Sequence, residues 1–262
     1  KLALSLLLLT SLAFAADAPK KTEVPAKKAP AKKVYPKNPP PTVANLKYGP
    51  AERNVLDFWQ AKSEAAKTPL LFFVHGGGWM TGDKANPDFL AKCLENGISV
   101  VSINYRLISD AQTAKIDPPV KACLDDSARA LQFVRSKADE WHIDKERIGA
   151  SGGSAGACSS LWLAFHDDMA DPKSSDPVAR ESTRLWCAAV DGAQTTLDPK
   201  QMREWTPNSR YGGHAFGFTG DPKTKLSQFD EFYNKRDTIL PWIAEYSPYA
   251  LVTKDDPPIY MN

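Results

Sequence analysis

A glycine-rich segment at residues 149–158 constrains the fold more strongly than any other part of the chain. It reads Gly-Ala-Ser-Gly-Gly-Ser-Ala-Gly-Ala-Cys and separates a strand-like run from a helix-like run. Residues 152–156 match G-x-S-x-G, the pattern of a nucleophile elbow, in which a tight strand-to-helix turn holds a serine strained and exposed. At Gly152 and Gly156 a Cβ is expected to crowd the turn or the adjoining strand and helix. The segment predicts a strand, a turn and a helix, with Ser154 at the turn.

A second register of the same motif must be weighed. Residues 149–153 also fit G-x-S-x-G and would make Ser151 the reactive serine. The apolar run 157–165 is typical of a buried helix, and Ser154 stands at its start, whereas Ser151 lies back toward the strand. The helix that begins there directs its free N–H groups and positive dipole end at the site, which suits a developing oxyanion. Ser154 is therefore the favoured candidate.

An upstream motif supports this interpretation. Residues 70–74 are a continuous apolar run of strand length, as expected for a parallel strand buried on both faces. The run leads into His75-Gly76-Gly77-Gly78-Trp79, and three successive glycines let bare backbone N–H groups approach a ligand closely. This is the H-G-G-G oxyanion loop that accompanies the elbow in lipases and esterases. We expect His75 to brace the loop and not to act as a general base.

The rest of the domain alternates strand and helix signals, which predicts parallel βαβ units and an α/β fold: a mostly parallel sheet flanked by helices. Residues about 192–246 interrupt this alternation with aromatics, glycines and prolines, and they predict a cap over the active site. The expected strands are 70–74, 98–104, 147–150, 186–190 and one opening at 258, and the expected helices are 85–96, about 120–140 and 155–165.

With these motifs the chain resembles the α/β-hydrolase esterases and lipases, close to the hormone-sensitive-lipase-like and BD-FAE-like carboxylesterases. The resemblance implies that Ser154 is the nucleophile and that the N–H groups of Gly77, Gly78 and Ala155 form the oxyanion hole. It also implies a structural role for Tyr105-Arg106, while Asp83 is expected to organise the loop after the oxyanion motif. The stretches that carry the resemblance are 75–79 with 82–84, 100–107, 125–134, 143–149 and 247–251.

The partners of the serine are harder to place. In this fold the acid and the histidine follow the serine along the chain. Only His166 and His214 come after Ser154. His166 is expected at a helix end, pointing away, and His214 in the cap is a candidate for a substrate contact or for the base. Asp191, just after a strand, is the one candidate acid. The resemblance places the acid and the histidine beyond Asn262, so the C-terminal part of the fold is expected to be missing.

Residues 1–16 have the pattern of a secretory signal peptide with a truncated start. An apolar run follows Lys1, and Ala13-Phe14-Ala15 is an A-x-A cleavage signature. The run is too short to span a membrane as a helix, so no transmembrane anchor is expected after cleavage. Residues 17–41, rich in Pro, Ala and Lys, predict a disordered linker, and 42–262 predict the hydrolase domain. A secreted or periplasmic protein is the resulting expectation.

Charge and cysteines exclude some classes of function. The net charge is +2, and removal of the basic leader leaves the domain mildly acidic, which argues against a nucleic-acid partner. The four cysteines show no C-x-x-C pair, so a zinc site is not expected, and no metal or organic cofactor is implied. Buried free thiols are the simpler interpretation, with a bridge between Cys93 and Cys123 as the alternative.

The function expected from the sequence is that of an exported serine carboxylester hydrolase. It would act through an acyl-enzyme on small or carbohydrate-linked acyl esters. Two alternatives remain open at this point. One is a non-catalytic, hydrolase-like binding module, suggested by the lack of a credible base, and the other is a peptidase of the same fold. Fold alone does not choose among them.

Overall fold

A seven-stranded mixed sheet forms the centre of the protein, with the strand order β1-β2-β4-β3-β5-β6-β7. The structure is a computed structural model that describes residues 38–262, and these form one compact unit. The predicted signal peptide and most of the predicted linker lie outside the described residues. The strands are β1 (Val43–Lys47), β2 (Val55–Trp59), β3 (Thr68–Val74), β4 (Ser99–Ile103), β5 (Ile143–Gly153), β6 (Cys187–Asp191) and β7 (Ile259–Met261).

Strand direction determines where the functional motifs meet. Strands β3 to β7 pair in parallel, and only β1 and β2 run antiparallel to their neighbours. Val74 of β3 stands opposite Gly152 of β5, and Gly153 stands opposite Asp191 of β6. Because parallel strands end at the same edge, the loop after β3, the elbow after β5 and the end of β6 lie together.

Helices cover both faces of the sheet, which confirms the predicted α/β fold. Strand β4 is buried at all five positions, as a strand between two helical layers must be. Helix α4 is buried along ten consecutive residues because it packs between the sheet and other helices. The helices are α1 (Leu90–Glu95), α2 (Ile108–Thr113), α3 (Val120–Ser136), α4 (Ala155–Phe165), α5 (Pro199–Trp205), α6 (Gln228–Asn234) and α7 (Leu240–Tyr246).

Two predicted boundaries were wrong. Strand β5 starts at Ile143, not at residue 147. Ile143 already pairs with Thr68 of β3, and the charged residues that follow Ile143 continue the strand. Helix α1 starts at Leu90, not at residue 85, because Phe89 has φ 61°, a left-handed backbone that cannot be part of a right-handed helix. The antiparallel strands β1 and β2 were not predicted.

All four cysteines are free, so the alternative bridge between Cys93 and Cys123 is wrong. The reason is the layering of the fold. Cys93 on α1 packs with Val100, whereas Cys123 on α3 belongs to the cluster around Val101. Since successive residues of a strand point to opposite faces, the two thiols lie on opposite sides of the sheet.

The segment between β6 and β7 contains α5, α6, α7 and short 3₁₀ turns at Gly213–Phe216, Arg236–Thr238 and Pro248–Leu251. It has apolar contacts of its own, centred on the buried Phe229 and Phe232. A bidentate ion pair, in which Arg236 contacts both carboxylate oxygens of Asp198 at 2.7 Å, ties α5 to the turn before α7. No helix in the described part of the chain is long and apolar enough to cross a membrane.

Candidate active site

Ser154 occupies the turn between β5 and α4. Its backbone has φ 53° and ψ −121°, a left-handed conformation that a side chain rarely adopts, and the residue is exposed. Its N–H donates to the carbonyl of Asp191 at 3.0 Å, which fixes the turn against the end of β6. Ser151, by contrast, is buried inside β5, where it pairs with Phe73 and Ala189. This geometry favours Ser154 over Ser151.

The glycines of the elbow meet backbone that cannot move aside. A Cβ on Gly156 would lie 2.0 Å from the carbonyl oxygen of Val74, and one on Gly152 would lie 2.4 Å from the same atom. A Cβ on Gly153 would meet nothing nearer than 3.9 Å. The crowding expected at Gly152 and Gly156 is confirmed, and it arises because the elbow helix packs directly on β3.

The loop after β3 lies beside the serine. A Cβ on Gly76 would stand 3.6 Å from the Cβ of Ser154 and 2.7 Å from the carbonyl oxygen of Gly153, so only glycine fits there. Gly77 and Gly78 have φ of 96° and 63°. Within residues 38–262 no backbone hydrogen bond is donated by the N–H of Gly77, Gly78 or Ala155. Two N–H groups of the loop after β3 and the N–H of the residue that follows Ser154 therefore have no backbone acceptor.

His75 braces this loop. Its Nδ1 lies 2.8 Å from the carbonyl oxygen of Gly76, its ring stacks on Tyr105 at 4.3 Å, and a Cβ on Gly82 would be 2.3 Å from Nδ1. The Tyr105 hydroxyl donates to the carbonyl of His75 at 2.8 Å. Burial lowers the pKa of His75, which keeps the ring neutral. These contacts support the structural role expected for His75 and Tyr105.

Two buried carboxylates hold the segments that follow β3 and β4. Asp57 on β2 forms an ion pair with the ammonium group of Lys84 at 2.8 Å, and both side chains are less than a tenth exposed. Asp126 on α3 accepts two guanidinium hydrogen bonds from Arg106, at 2.9 and 2.6 Å. Asp83 accepts from the side chain of Asn104 and from the N–H of Ala85, as its predicted loop-organising role requires.

Two side chains from the segment between β6 and β7 reach the glycine loop after β3. A Cβ on Gly78 would lie 3.4 Å from the Tyr211 hydroxyl and 3.6 Å from Nε2 of His214. Both atoms are buried, and neither has a hydrogen-bond partner in the described part of the chain. Burial lowers the pKa of His214 and raises the pKa of Tyr211, so both groups are neutral near pH 7. A buried polar atom without a hydrogen-bond partner is the kind of group that an ordered water or a bound ligand satisfies.

The remaining predicted residues lie apart from Ser154 or touch it through backbone. His166 ends α4 and contacts Glu245 at 3.3 Å, in keeping with a helix-end residue. The carboxylate of Asp191 is exposed and accepts from the Asn262 amide at 3.2 Å. Among residues 38–262 no three His, Cys, Asp or Glu side chains form a group that could hold a metal.

The sequence did not single out Tyr211. It lies in the segment between β6 and β7, 133 positions after Gly78, and only the tertiary fold brings the two together. The glycine pair that follows Tyr211 was the one available signal, since Gly212 takes φ 102° to turn the chain back toward the site.

The family model for BD-FAE matches residues 56–262. An acetyl esterase from Salmonella schwarzengrund is 29% identical over 200 residues, covering 73% of this chain and 53% of that protein. The carboxylic ester hydrolase LipN from Mycobacterium tuberculosis is 36% identical over 97 residues, covering 36% of this chain and 24% of LipN. The chain therefore spans about half or less of the length of these curated relatives.

Solved structures of other proteins share the fold of this chain. A truncated carbohydrate esterase from gut microbiota superposes with a TM-score of 0.64 at 22% identity, covering 84% of this chain and 75% of that one. An acetyl ester-xyloside bifunctional hydrolase from Caldicellulosiruptor lactoaceticus gives 0.56 at 23% identity, covering 79% and 65%. Since the BD-FAE model covers most of the chain and the sheet carries the matching elbow, this protein belongs to the BD-FAE family and has the α/β-hydrolase fold.

Proposed function

We propose that the protein hydrolyses carboxylic esters and that Ser154 is its nucleophile. The observation that carries the proposal is the exposed, strained Ser154 beside three N–H groups that have no backbone acceptor. A geometry that is costly for the fold points to a function that requires it. Family membership and the esterases among the relatives support the same class of reaction.

The proposed reaction proceeds in two stages. The Ser154 hydroxyl attacks the ester carbonyl as its proton passes to a histidine, and the carbonyl oxygen becomes an oxyanion held by the N–H groups of Gly77, Gly78 and Ala155. Collapse of this intermediate expels the alcohol, which takes the proton, and leaves an acyl-enzyme. Water then attacks the acyl-enzyme by the same route and releases the acid. The free N–H groups at the start of α4 add their dipole to the oxyanion site.

The identities of the general base and of the acid that orients it remain predictions. The order of the triad in this fold places both after the elbow, and Asp191 and His214 are the candidates within the described residues. We assign His214 and Tyr211 to substrate contact, because their unpartnered atoms lie against Gly78 of the loop after β3. The segment 192–246 then acts as the cap that selects the substrate.

The proposed substrates are small or carbohydrate-linked acyl esters. Neighbours in fold include a carbohydrate esterase and an acetyl ester-xyloside hydrolase, and a relative is an acetyl esterase. The A-x-A signature at residues 13–15 favours export, which would place the enzyme where such polymers occur.

The test is hydrolysis of p-nitrophenyl acetate by the full-length protein, together with covalent labelling by a fluorophosphonate. We expect Ser154→Ala to lower kcat by about 10⁴-fold or more and to abolish labelling. The matched control is Ser151→Ala, which removes a buried serine hydroxyl three residues earlier, within β5, and should retain both activity and labelling. Loss of labelling in the Ser151 variant alone would place the nucleophile in the other register. Binding without any hydrolysis would favour the binding module, and cleavage of peptides alone would favour a peptidase.

A further inference from the structure

The orientation of the three proposed oxyanion donors depends on how the carbonyl ends of their peptide units are held. A peptide unit is planar and places its N–H and its C=O on opposite sides, so an anchored carbonyl oxygen determines where the N–H points. The unit that carries the Ala155 N–H is anchored by α4, since the carbonyl of Ser154 accepts from the N–H of Cys158 at 2.9 Å. This unit is therefore held by backbone alone.

The two units in the loop after β3 are held in different ways. The unit that carries the Gly78 N–H has backbone partners. Its carbonyl, that of Gly77, accepts from the N–H groups of Met80 and Thr81 at 3.0 and 3.1 Å. The unit that carries the Gly77 N–H has none, because its carbonyl, that of Gly76, accepts no backbone hydrogen bond among residues 38–262. The direction of the Gly77 N–H therefore depends on side chains.

His75 supplies the missing anchor. Its Nδ1 lies 2.8 Å from the carbonyl oxygen of Gly76, and the hydroxyl of Tyr105 lies 3.4 Å from the same oxygen. A carbonyl oxygen only accepts hydrogen bonds, so Nδ1 must carry the proton of the neutral imidazole, and Nε2 then keeps a lone pair. In the other tautomer two acceptors would face each other, and the Gly77 N–H would lose its fixed direction.

Arg53, in the turn between β1 and β2, faces the lone pair of that imidazole. Its Nη2 lies 3.5 Å from Nε2 of His75. The same nitrogen donates to the carbonyl of Gly82 at 3.0 Å, and Nε of Arg53 donates to the carbonyl of Tyr105 at 2.9 Å. Because the guanidinium is planar and carries only donors, these two bonds fix a donor and a positive charge against Nε2. A proton on Nε2 is therefore disfavoured, and the Nδ1–H tautomer is selected.

The imidazole has no room to turn away from its two partners. Its ring stacks on Tyr105 with the centroids 4.3 Å apart and the planes at 19°, and a Cβ on Gly82 would lie 2.3 Å from Nδ1. Close packing of this kind fixes a side chain in one orientation. The tautomer of His75, and not a rotation of its ring, thus determines whether the ring anchors the carbonyl of Gly76.

We propose that Arg53 is a positioning residue for the proposed ester hydrolysis. By selecting the Nδ1–H tautomer of His75, it holds the peptide unit whose N–H group, that of Gly77, binds the oxyanion. The inference rests on the proposed function, because the oxyanion forms only if an ester is attacked. Arg53 acts through His75 alone and belongs to neither the glycine loop nor the elbow.

The kinetic test compares kcat and KM of Arg53→Ala with those of the unmodified full-length protein, with p-nitrophenyl acetate as the substrate. An oxyanion forms in both stages of the reaction, so both stages should slow together and KM should stay within about twofold. We expect kcat to fall at least about tenfold, since complete removal of one oxyanion donor costs about 10²–10³-fold. Arg53→Met keeps the length of the side chain but lacks every donor, and it replaces the alanine variant if that variant does not fold.

Arg184→Ala is the matched control. The Arg184 guanidinium also donates to two backbone carbonyls, those of His166 at 3.2 Å and Asp255 at 2.7 Å. Arg184 and Arg53 are both partly buried. His166, however, lies at the far end of α4, about 18 Å from Ser154 at about 1.5 Å per residue. Arg184→Ala should therefore leave kcat unchanged, although it removes the same kind of contact between a guanidinium and the backbone.

The tautomer of His75 gives a readout that a loss of stability alone would not change. The chain contains four histidines, and long-range proton–nitrogen NMR correlations of ¹⁵N-labelled histidine report which ring nitrogen carries the proton. His75→Gln identifies the His75 signals by their absence. We expect Nδ1–H in the unmodified protein and in Arg184→Ala, and a population with Nε2–H in Arg53→Ala.

The positioning role is overturned by an Nε2–H tautomer of His75 in the unmodified protein, or by a tautomer that does not respond to Arg53→Ala. It is also overturned if Arg53→Ala keeps its full kcat, or if Arg184→Ala loses as much. The proposed function is judged separately. If Ser154→Ala is inactive while Arg53→Ala is fully active, the esterase stands and the positioning role falls. If the unmodified protein hydrolyses no ester, the proposed function falls and the role of Arg53 in catalysis falls with it, whatever the tautomer.

Discussion

Two of the elbow glycines, Gly156 and Gly153, should respond very differently to the same added methyl group. A Cβ on Gly156 would be about 1.4 Å short of ordinary contact with the carbonyl oxygen of Val74, and it would also lie 2.8 Å from the carbonyl group of His75. These atoms belong to the backbone, so no rotation of a side chain relieves the clash. A Cβ on Gly153 would find open space, with its nearest neighbour at 3.9 Å.

The expected magnitudes follow from this contrast. Overpacking in a well-packed interior costs about 1–3 kcal/mol and occasionally more, and a contact with rigid backbone belongs at the upper end. We therefore expect Gly156→Ala to lower the free energy of unfolding by about 3 kcal/mol or more. Gly153→Ala should be neutral, or stabilising by about 0.4–1 kcal/mol, because alanine reduces the freedom of the unfolded chain.

Urea unfolding followed by tryptophan fluorescence is the assay, since the chain contains seven tryptophans. A loss of 3 kcal/mol corresponds to a fall of about 1–2 M in the urea midpoint for a domain of this size. Equal midpoints for the Gly153 and Gly156 variants would refute the reasoning. That result would mean that the elbow helix can move away from β3 at little cost.

Two further perturbations test the contacts that support the glycine loop after β3. Asp57→Asn leaves the buried Lys84 ammonium without its partner and should cost about 3 kcal/mol in urea unfolding, whereas Asp139→Asn, which breaks the exposed pair with Lys67, should leave the midpoint unchanged. Burial lowers the pKa of His75 in the folded state, so its contribution to stability is complete above the unfolded pKa of about 6.5 and is lost as the pH falls below it. His75→Gln should therefore show a smaller fall in urea midpoint between about pH 7.5 and pH 5 than the unmodified protein, and an equal fall would contradict this account.

The sequence predicted those parts of the fold that depend on local rules. The apolar run of β3 and the glycine spacing of the elbow each constrain the backbone within a few residues, and both lie where the pattern put them. Strands β1 and β2 escaped prediction because they form an antiparallel edge, whose short mixed sequences lack the continuous apolar run of a central strand.

The environment of the site could not be predicted in the same way. The approach of Tyr211 and His214 to Gly78 depends on the path of the whole segment after β6, and no spacing along the chain encodes it. The contact between Arg53 and His75 likewise joins residues 22 positions apart that no motif contains together. Sequence motifs therefore locate the proposed reacting groups, whereas the packing of the segment between β6 and β7 determines what surrounds them.

The final prediction concerns Tyr211→Phe. The Tyr211 hydroxyl is buried without a partner, so its removal takes away an unsatisfied polar group and should leave stability unchanged or slightly increased. If the hydroxyl contacts the substrate at Gly78, the same change should lower kcat/KM for p-nitrophenyl acetate by about tenfold, the equivalent of one lost hydrogen bond of 1–1.5 kcal/mol. A residue with a purely structural role would give the opposite pair of results, a lower urea midpoint with kcat/KM unchanged. The hydroxyl would then be stabilising the cap, and its place beside the oxyanion loop would have no bearing on the reaction.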